Sequence, residues 1–312
     1  MFKTEFNKVD ELPPEVFKRV KALKNIQLDN VKHEVEYYKE LHKLDLKYQK
    51  IYDENNVKRK QIYLGEYEPT DLECEWVDND DDGEKKLSKM TIEDTKEKVK
   101  GIPDFWLTVF QNANDTVLHG TVEQIDEPIL KSLQDVTVTL PESNTGFSLN
   151  FHFAPNDFFS NTVLTKEYEL KNDYDKEDPL DYDGPEVSKA VGCNIDWKPG
   201  KNPGVKIITK KVKPKGKGKG GPKTVTKEEK RDTFFTFFKP PVVDQKKKDK
   251  NEDDDEEDEA LALLNEDFDI GLNIKEKLIA KAVLYFTGEA EDIDIDEDFD
   301  DEESDEDDDL DD

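Results

Sequence analysis

Apolar residues recur every three or four positions along the first part of the chain, which is the pattern of an amphipathic helix. Between Pro14 and Gly65 the sequence contains no further proline or glycine. Prolines at the start and a glycine at the end are typical helix boundaries, so one long helix is predicted for residues 1–65. The apolar positions of the stripe are Val16, Val20, Leu23, Val31, Val35, Tyr38, Leu41, Leu44, Tyr48 and Ile51.

A continuous helix of this length needs a partner for its apolar stripe. Fifty helical residues would extend about 75 Å, which is longer than a small domain can cover. The most economical partner is a second copy of the same helix. The alternative is two or three shorter core helices, separated near Asn25 or Asn30.

Residues 66–100 are polar and are interpreted as a short accessory insertion. The segment "DNDDDGEKK" is typical of a loop, and "SKMTIEDTKEKVK" predicts a short helix. Ser88 and Thr91 are both suitable residues to cap the amino terminus of that helix.

The remaining chain, residues 101–288, has the pattern of a folded α+β domain. Helices are predicted for "GIPDFWLTVFQNA" and "EQIDEPILKSL", and the period then changes to two in "DVTVTL", "GFSLNFHFA", "TVLTKEYELK", "CNIDWK" and "GVKIITKKVK". Alternation of this kind predicts half-buried antiparallel strands. The strand region ends at "TFFTFFKPP", and "NIKEKLIAKAVLYFTGEA" predicts a closing amphipathic helix.

The acidic residues are concentrated in two segments. The formal net charge is −31, and the run "EDDDEEDE" within the predicted acidic loop 249–259 is followed by a C-terminal tail, residues 289–312. Runs of like charge are typical of disordered tails that either solubilise a protein or attract cationic partners. The same charge argues against binding to nucleic acid or to an anionic membrane.

The two cysteines, Cys74 and Cys193, form no CxxC pair and no disulfide framework, which suits a reducing compartment. No apolar run approaches the roughly 20 residues of a membrane-spanning helix, and the amino terminus lacks the apolar core of a signal peptide. We therefore expect no membrane association.

No catalytic constellation is recognisable. The four histidines, His33, His42, His119 and His152, form no metal-binding pair and are interpreted as structural. The segment "GKGKGGPKT" lacks the Gly-Lys-Ser/Thr order of a phosphate-binding loop, and "DIDIDEDFDD" lacks the glycine of a calcium loop. We therefore predict a protein that is not an enzyme and that has no metal or other cofactor.

The stretch "IITKKVKPKGKGKGGPK" is strongly basic and contains no acidic residue. Three interpretations are open: a nucleic-acid patch, a solvated hairpin tip, or a nuclear-import signal. Aromatic residues do not interleave with the lysines, which argues against single-stranded nucleic acid. Short runs of lysine are typical of import signals, which the core "KKVKPKGKGK" resembles.

Seven segments occur in the order and with the spacing found in the nucleosome assembly protein family. They are "LPPEVFKRVKALKNIQ", "GIPDFWLTVFQN", "DEPILKSLQDV", "FHFAPNDFFSNTVLTKEY", "GCNIDWKPGKN", "TFFTFFKPP" and "AVLYFTGEA". The sequence therefore resembles this family of histone chaperones over nearly its whole length.

The resemblance implies a homodimer joined by the long helices, and an "earmuff" domain whose concave face receives core histones. The implied dimer seam comprises Val31, Val35, Tyr38, Leu41, Leu44, Tyr48 and Ile51. The implied import signal, on a hairpin at 205–227, comprises Lys210, Lys211, Lys213, Lys215, Lys217 and Lys219. The implied histone-binding tail includes Glu289, Glu291, Asp292, Asp294, Asp296, Glu297 and Asp298. The four phenylalanines of "TFFTFFKPP" are interpreted as core residues.

The expected partners are core histones, a second copy of the chain and a nuclear-import receptor, with no sequence-specific nucleic acid. The resemblance also implies shuttling between nucleus and cytoplasm. Ser304, which has acidic residues on both sides, is a candidate site for an acid-directed kinase. Two other functions remain open: an acidic regulatory inhibitor, and an import adaptor for basic cargo.

Overall fold

The computed structural model describes residues 13–76, 99–143, 145–212, 223–241 and 254–290. Helix α1, Pro14–Tyr63, is one uninterrupted helix of 50 residues, which confirms the long helix. Pro14 supplies the fixed φ of a first helical position, and Gly65, at φ +65°, follows the last turn. Asn25 and Asn30 do not interrupt it. A short 3₁₀ helix, Asp71–Cys74, follows in the described part of the insertion.

A four-stranded antiparallel sheet forms the centre of the folded domain. Its strands are β1 (Leu133–Thr139), β2 (Gly146–Phe153), β3 (Val163–Lys171) and β4 (Glu186–Gly192), paired in sequence order. Burial alternates along β2 and along the first part of β3, so the sheet has one covered face and one more open face. The α+β fold class is thereby confirmed.

Short helices and one longer helix cover the buried face and edges of the sheet. They are α2 (Phe105–Asn112), α3 (Glu127–Leu130), a 3₁₀ helix (Phe234–Phe238), α4 (Asp254–Asn273), a π-helix (Ile274–Leu278) and α5 (Ala282–Thr287). All four phenylalanines of the 3₁₀ helix are buried, which confirms their interpretation as core residues. A separate hairpin consists of β5 (Val205–Val212) and β6 (Lys223–Lys230).

The fully buried carboxylate of Asp126 anchors the phenylalanine-rich helix to α3. It accepts hydrogen bonds from the Thr233 hydroxyl, from the Phe234 amide at 2.7 Å and from the Glu123 amide at 3.0 Å. These three donors satisfy the buried carboxylate, because charge-assisted hydrogen bonds to amides are strong.

Three sequence-based expectations about the fold were wrong. The segment "CNIDWK" is a loop, and the fourth strand is the preceding segment Glu186–Gly192. The Asn161 side chain donates to the Asn194 carbonyl at 3.1 Å and accepts from the Asp196 amide at 2.8 Å, while the Asn194 side chain donates to the Asp196 carboxylate at 3.1 Å. These side-chain bonds compete with regular strand pairing, and the segment forms an isolated bridge between Phe159 and Trp197 instead of a strand.

The second half of the expected acidic loop 249–259 is helical, because α4 begins at Asp254. Acidic residues in a first helical turn are favoured by the helix dipole, and Leu264, buried at 1% exposure, ties the helix to the core. The predicted closing helix is also divided, since the π-helix and a turn precede α5.

Candidate functional site

The apolar stripe of α1 divides into two parts with different surroundings. Val31 and Val35 are 1% and 6% exposed within the single chain, and Tyr38 and Leu41 are half-buried. Three further members of the expected seam are exposed: Leu44 at 48%, Tyr48 at 43% and Ile51 at 48%. The chain's own fold therefore covers the first part and leaves the second part open.

The loop between β3 and β4, residues 172–185, reaches the covered part of α1 and is named the β3–β4 loop below. The Asn172 side chain donates a hydrogen bond to the carbonyl of Val35 at 3.2 Å. Tyr182 packs edge-on against Tyr38 with ring centroids 6.5 Å apart, and its hydroxyl donates to the Asn172 side chain at 2.6 Å. Gly184 passes so close that an added Cβ would lie 3.1 Å from the Tyr38 hydroxyl.

The same loop is densely acidic on its exposed side. Its exposed carboxylates are Asp173, Asp175, Glu177, Asp178, Asp181 and Asp183, with Lys176 as its one basic residue. A loop of this length without secondary structure is uncommon in a compact domain unless it has a function. The density of acidic residues in this loop, interrupted by tyrosine, proline and glycine, is the signal in the sequence that could have identified it.

The docking of this loop on α1 is expected to weaken at alkaline pH. Burial, followed by the nearby Tyr38, Glu34, Asp173 and Asp183, raises the pKa of Tyr182 to about 12 from its ordinary value of 10. A group with a raised folded-state pKa stabilises the docked loop fully below pH 10 and loses that contribution between pH 10 and 12. Ultraviolet titration of tyrosinate should show a tyrosine with a pKa of about 12 in the unaltered protein, and that component should be absent in Tyr182→Phe. A Tyr182 that titrates near pH 10 would contradict the docked geometry.

A large apolar groove lies beside the open part of the stripe. It has a volume of about 1150 Å³ and runs between the carboxyl-terminal half of α1 and the domain. Leu44, Tyr48 and Tyr52 line it from α1, while Ile102, Val283 and Phe286 line it from the domain. An exposed apolar surface of this kind on a folded protein marks an interaction site.

A buried polar network fixes the end of α1 against β1. The Tyr63 hydroxyl donates to Asp135 at 2.9 Å and accepts from the Trp106 indole at 3.0 Å, and Lys60 lies 3.2 Å from the same carboxylate. Burial is the main cause that raises the pKa of Tyr63 far above its ordinary value, with the Asp135 charge adding to it. The fold itself therefore fixes the geometry of the groove, without a bound partner.

The remaining expected site residues are only partly described. Lys210 and Lys211 lie on β5, where they pair with Val225 and Thr224 across the hairpin. Lys213, Lys215, Lys217 and Lys219 lie outside the described residues, as do Ser304 and the tail residues Glu291, Asp292, Asp294, Asp296, Glu297 and Asp298. Glu289 is exposed, and its amide closes the end of α5 by donating to the Leu284 carbonyl at 2.9 Å.

The histidines take part in local contacts. His42 contacts the Pro141 carbonyl at 2.7 Å, and His152 contacts the Thr137 hydroxyl at 3.0 Å. Burial lowers the pKa of His152. Within the described ranges no three His, Cys, Asp or Glu side chains converge as metal ligands, and no helix there is long and apolar enough to span a membrane.

Comparison with known proteins gives a consistent result. The family model "Nucleosome assembly protein (NAP)" matches residues 18–289. Nucleosome assembly protein 1-like 1 of Xenopus tropicalis is 44% identical over 298 residues, covering 93% of this chain and 73% of that protein. Nucleosome assembly protein 1-like 4 of Homo sapiens is 41% identical over 294 residues, covering 90% of this chain and 76% of that protein.

A solved structure supports the same conclusion for the fold. Nucleosome Assembly Protein 1 from Plasmodium knowlesi superimposes with a TM-score of 0.53 at 27% sequence identity, covering 89% of this chain and 99% of that one. The family match spans the long helix, the sheet and the closing helices described above. The chain belongs to the nucleosome assembly protein family.

Proposed function

We propose that this protein is a histone chaperone, a homodimer that binds core histones through acidic surfaces and limits their non-specific association with DNA. The observation that carries the proposal is the family match over residues 18–289, joined to an exposed acidic loop on the folded domain. The proposed role is one of binding and release, with no catalytic step and no cofactor.

Charge complementarity gives the proposal a physical mechanism. Core histones are strongly cationic, and a protein with net charge −31 attracts them and accelerates their encounter. The β3–β4 loop and the tail compete with DNA phosphates for the same lysines and arginines, at lower charge density than DNA. Histones bound in this way are kept out of non-specific complexes and remain available for transfer.

The two acidic surfaces, the β3–β4 loop and the tail, are expected to contribute differently to histone binding. The loop is held on α1 by Asn172 and Tyr182, so its carboxylates have a fixed arrangement that favours selectivity. The tail, residues 289–312, adds charge and therefore on-rate and salt sensitivity.

Removal of residues 291–312 should weaken histone binding moderately without affecting dimerisation. We expect the affinity for core histones to fall about tenfold at low salt, because long-range attraction is lost, and less at higher ionic strength, where it is screened. Truncation after Ala290 keeps that buried residue in place. Histone titration combined with sedimentation measures both effects. Unchanged affinity at low salt, or a monomer, would contradict this assignment.

Homodimerisation is proposed to use the open part of the stripe and the groove beside it. Leu44, Tyr48 and Ile51 are exposed there, and the groove supplies apolar surface from the domain. Val31 and Val35 are already covered within one chain and are proposed to position α1 on its own domain.

The basic hairpin is proposed as a nuclear-import signal. β5 and β6 present Lys210 and Lys211 next to the rest of the lysine run, at one end of a two-stranded hairpin separate from the main sheet. An import receptor would allow the protein to shuttle between cytoplasm and nucleus.

Replacement of Lys210, Lys211, Lys213 and Lys215 by alanine should shift the protein from nucleus to cytoplasm. A signal of this kind depends on the number of cationic side chains that its receptor can bind. Fluorescence microscopy of the tagged protein measures the distribution, with Lys227→Ala and Lys230→Ala at the opposite end of β6 as the control. Unchanged nuclear entry of the fourfold variant would refute the import role.

A further inference from the structure

The start of the accessory insertion presents the two most exposed large apolar side chains in the described part of the chain. Trp76 is 84% exposed, and Leu72, on the 3₁₀ helix Asp71–Cys74, is 74% exposed. The other two tryptophans belong to the core of the domain: Trp106 is 1% exposed, and Trp197 is half-buried against it. Two large apolar side chains that one short segment holds in solvent indicate an interaction site.

The turn that carries Leu72 has a fixed conformation. The Glu73 carboxylate accepts hydrogen bonds from the Thr70 amide and hydroxyl, each at 2.9 Å, and from the Tyr67 hydroxyl at 2.7 Å. Lys58 of α1 donates to the same carboxylate at 2.6 Å. These bonds, that of Lys58 first, lower the pKa of Glu73 to about 2, so the carboxylate stays ionised at neutral pH. The turn is therefore preorganised, which lowers the entropy lost on binding.

The insertion leaves the domain and returns to it at one point. The Ile102 amide donates to the Tyr63 carbonyl at 2.7 Å and so joins the chain before the insertion to the chain after it. Gly65 and Gly101, both with positive φ, pass so closely that a Cβ on Gly65 would lie 2.5 Å from the Gly101 nitrogen. The domain is closed without the exposed side chains of the insertion, and their exposure therefore points to a partner.

The charge around Trp76 favours a cationic partner. Residues 66–76, named the Trp76 segment below, contain five acidic residues and no basic one. Glu73 pairs with Lys58. The other four are exposed: Glu66, Glu68, Asp71 and Glu75. Carboxylates beside an aromatic side chain attract a cationic surface and repel DNA, and the indole face itself binds either an apolar side chain or a guanidinium.

We propose that Trp76 and Leu72 form an apolar anchor for a core histone pair, whose lysines and arginines the carboxylates of the Trp76 segment attract. This inference rests on the proposed histone-chaperone function and adds a contact site to the β3–β4 loop and the tail. Tryptophan is a frequent centre of binding energy because it buries a large surface with little loss of conformational freedom. Salt screens the carboxylates but not the apolar contact, so the anchor retains histones at physiological ionic strength.

Truncation of the anchor tests its contribution to affinity in the full chain. We expect Trp76→Ala to raise the dissociation constant for a purified core histone pair about tenfold at near-physiological salt, and Leu72→Ala about threefold. Trp76→Phe keeps an aromatic ring and should stay within about threefold of the unaltered protein. Leu263→Ala is the matched control, because Leu263 is 48% exposed on α4, and it should have less than about a twofold effect. Circular dichroism checks that each variant is folded.

The salt dependence separates the anchor from the charges beside it. Trp76→Ala removes no charge, so the dissociation constant should rise by the same factor at low and at high salt. The double variant Asp71→Asn/Glu75→Gln removes two exposed charges, and its effect should shrink as salt is raised. A Trp76→Ala effect that disappears at high salt would contradict a direct apolar contact.

Fluorescence locates the contact at the indole itself. Subtraction of the Trp76→Phe spectrum from that of the unaltered protein leaves the emission of Trp76, because Trp106 and Trp197 are common to both. Acrylamide should quench this emission readily in the free protein, since the side chain is 84% exposed. A saturating histone pair should shift the emission to shorter wavelength and reduce its quenching severalfold.

The outcomes separate this inference from the function on which it rests. An unaltered protein that binds no histone pair would refute the proposed function itself. Histone affinity unchanged by Trp76→Ala, or Trp76 emission that is quenched equally in the complex, would leave that function standing and overturn the anchor. Protection of Trp76 in the histone-free protein would also overturn it, because the chain itself or a second copy would then cover the indole.

Discussion

Replacement of both Leu44 and Ile51 by aspartate is expected to convert the protein from a dimer to a folded monomer. Each side chain is 48% exposed in the single chain and lies on the open part of the α1 stripe. A buried aliphatic side chain contributes roughly 1.5–3 kcal/mol, and two-fold symmetry doubles the number of side chains lost. The dimer dissociation constant should therefore rise on the order of a thousandfold or more, even before the cost of burying aspartate is added.

The control for this variant uses leucines that are equally exposed elsewhere. Leu261 and Leu263 on α4 are 43% and 48% exposed, and their joint replacement by aspartate should leave the dimer intact. Analytical ultracentrifugation gives the mass, and circular dichroism checks the helix content. A Leu44→Asp/Ile51→Asp protein that still sediments as a dimer would show that the interface lies elsewhere.

Removal of the Asp267 carboxylate, the counter-ion of the buried Lys166, should strongly destabilise the folded domain. The ammonium of Lys166 has 0% side-chain exposure, pairs with Asp267 at 2.7 Å and donates to the Phe237 carbonyl at 2.5 Å. The Tyr168 hydroxyl also donates to the backbone carbonyl of Asp267 at 2.7 Å. Asp267→Ala leaves a buried cation without its counter-ion, for which we expect a loss of about 3–5 kcal/mol in the free energy of unfolding.

The same ion pair also predicts that removing both charges restores the stability that is lost when Asp267 alone is replaced. Burial lowers the pKa of Lys166, which reports the cost of keeping that charge in the core. The double replacement Lys166→Met/Asp267→Leu removes both charges at similar volume and should recover most of the lost stability. Urea unfolding at a fixed protomer concentration measures each variant, because the proposed dimerisation would couple to stability.

An exposed ion pair between β3 and β4 provides the comparison. Lys189 and Glu169 are 2.8 Å apart, with side chains 58% and 39% exposed. Glu169→Ala should change the free energy of unfolding by less than about 1 kcal/mol, since solvent screens such pairs. If Asp267→Ala has an effect as small as Glu169→Ala, the buried pair does not hold α4 on the sheet in the way described here.

The long helix and the strands were predictable because their signals are local. Proline at the start of α1, glycine after its end and a continuous apolar stripe fix an element without reference to the rest of the chain. Alternating residues likewise located β1, β2 and β3. The segment "CNIDWK" alternates too, yet Asn161, thirty-five residues before Asp196, supplies side-chain bonds that a local pattern cannot reveal.

The interaction surfaces were less predictable because they depend on packing between distant segments. The stripe of α1 appeared uniform in sequence, and only the contact with Asn172, 137 residues after Val35, shows that its first part is already covered. In the sequence Arg59 resembles the other basic residues of α1, and only the structure shows that it contacts Trp106 and Ile279. The groove likewise combines residues from α1 with others around 102 and 283, so no single motif encodes it.

The central claim is that this acidic protein binds core histones as a defined dimeric complex. The most direct test is the mass of the complex formed with purified histone pairs at near-physiological salt, measured by light scattering, with DNA then added to look for histone–DNA precipitation. The account predicts one discrete complex that contains two copies of this chain and that suppresses precipitation. Absence of a histone complex at that salt, with precipitation unchanged, would contradict the account.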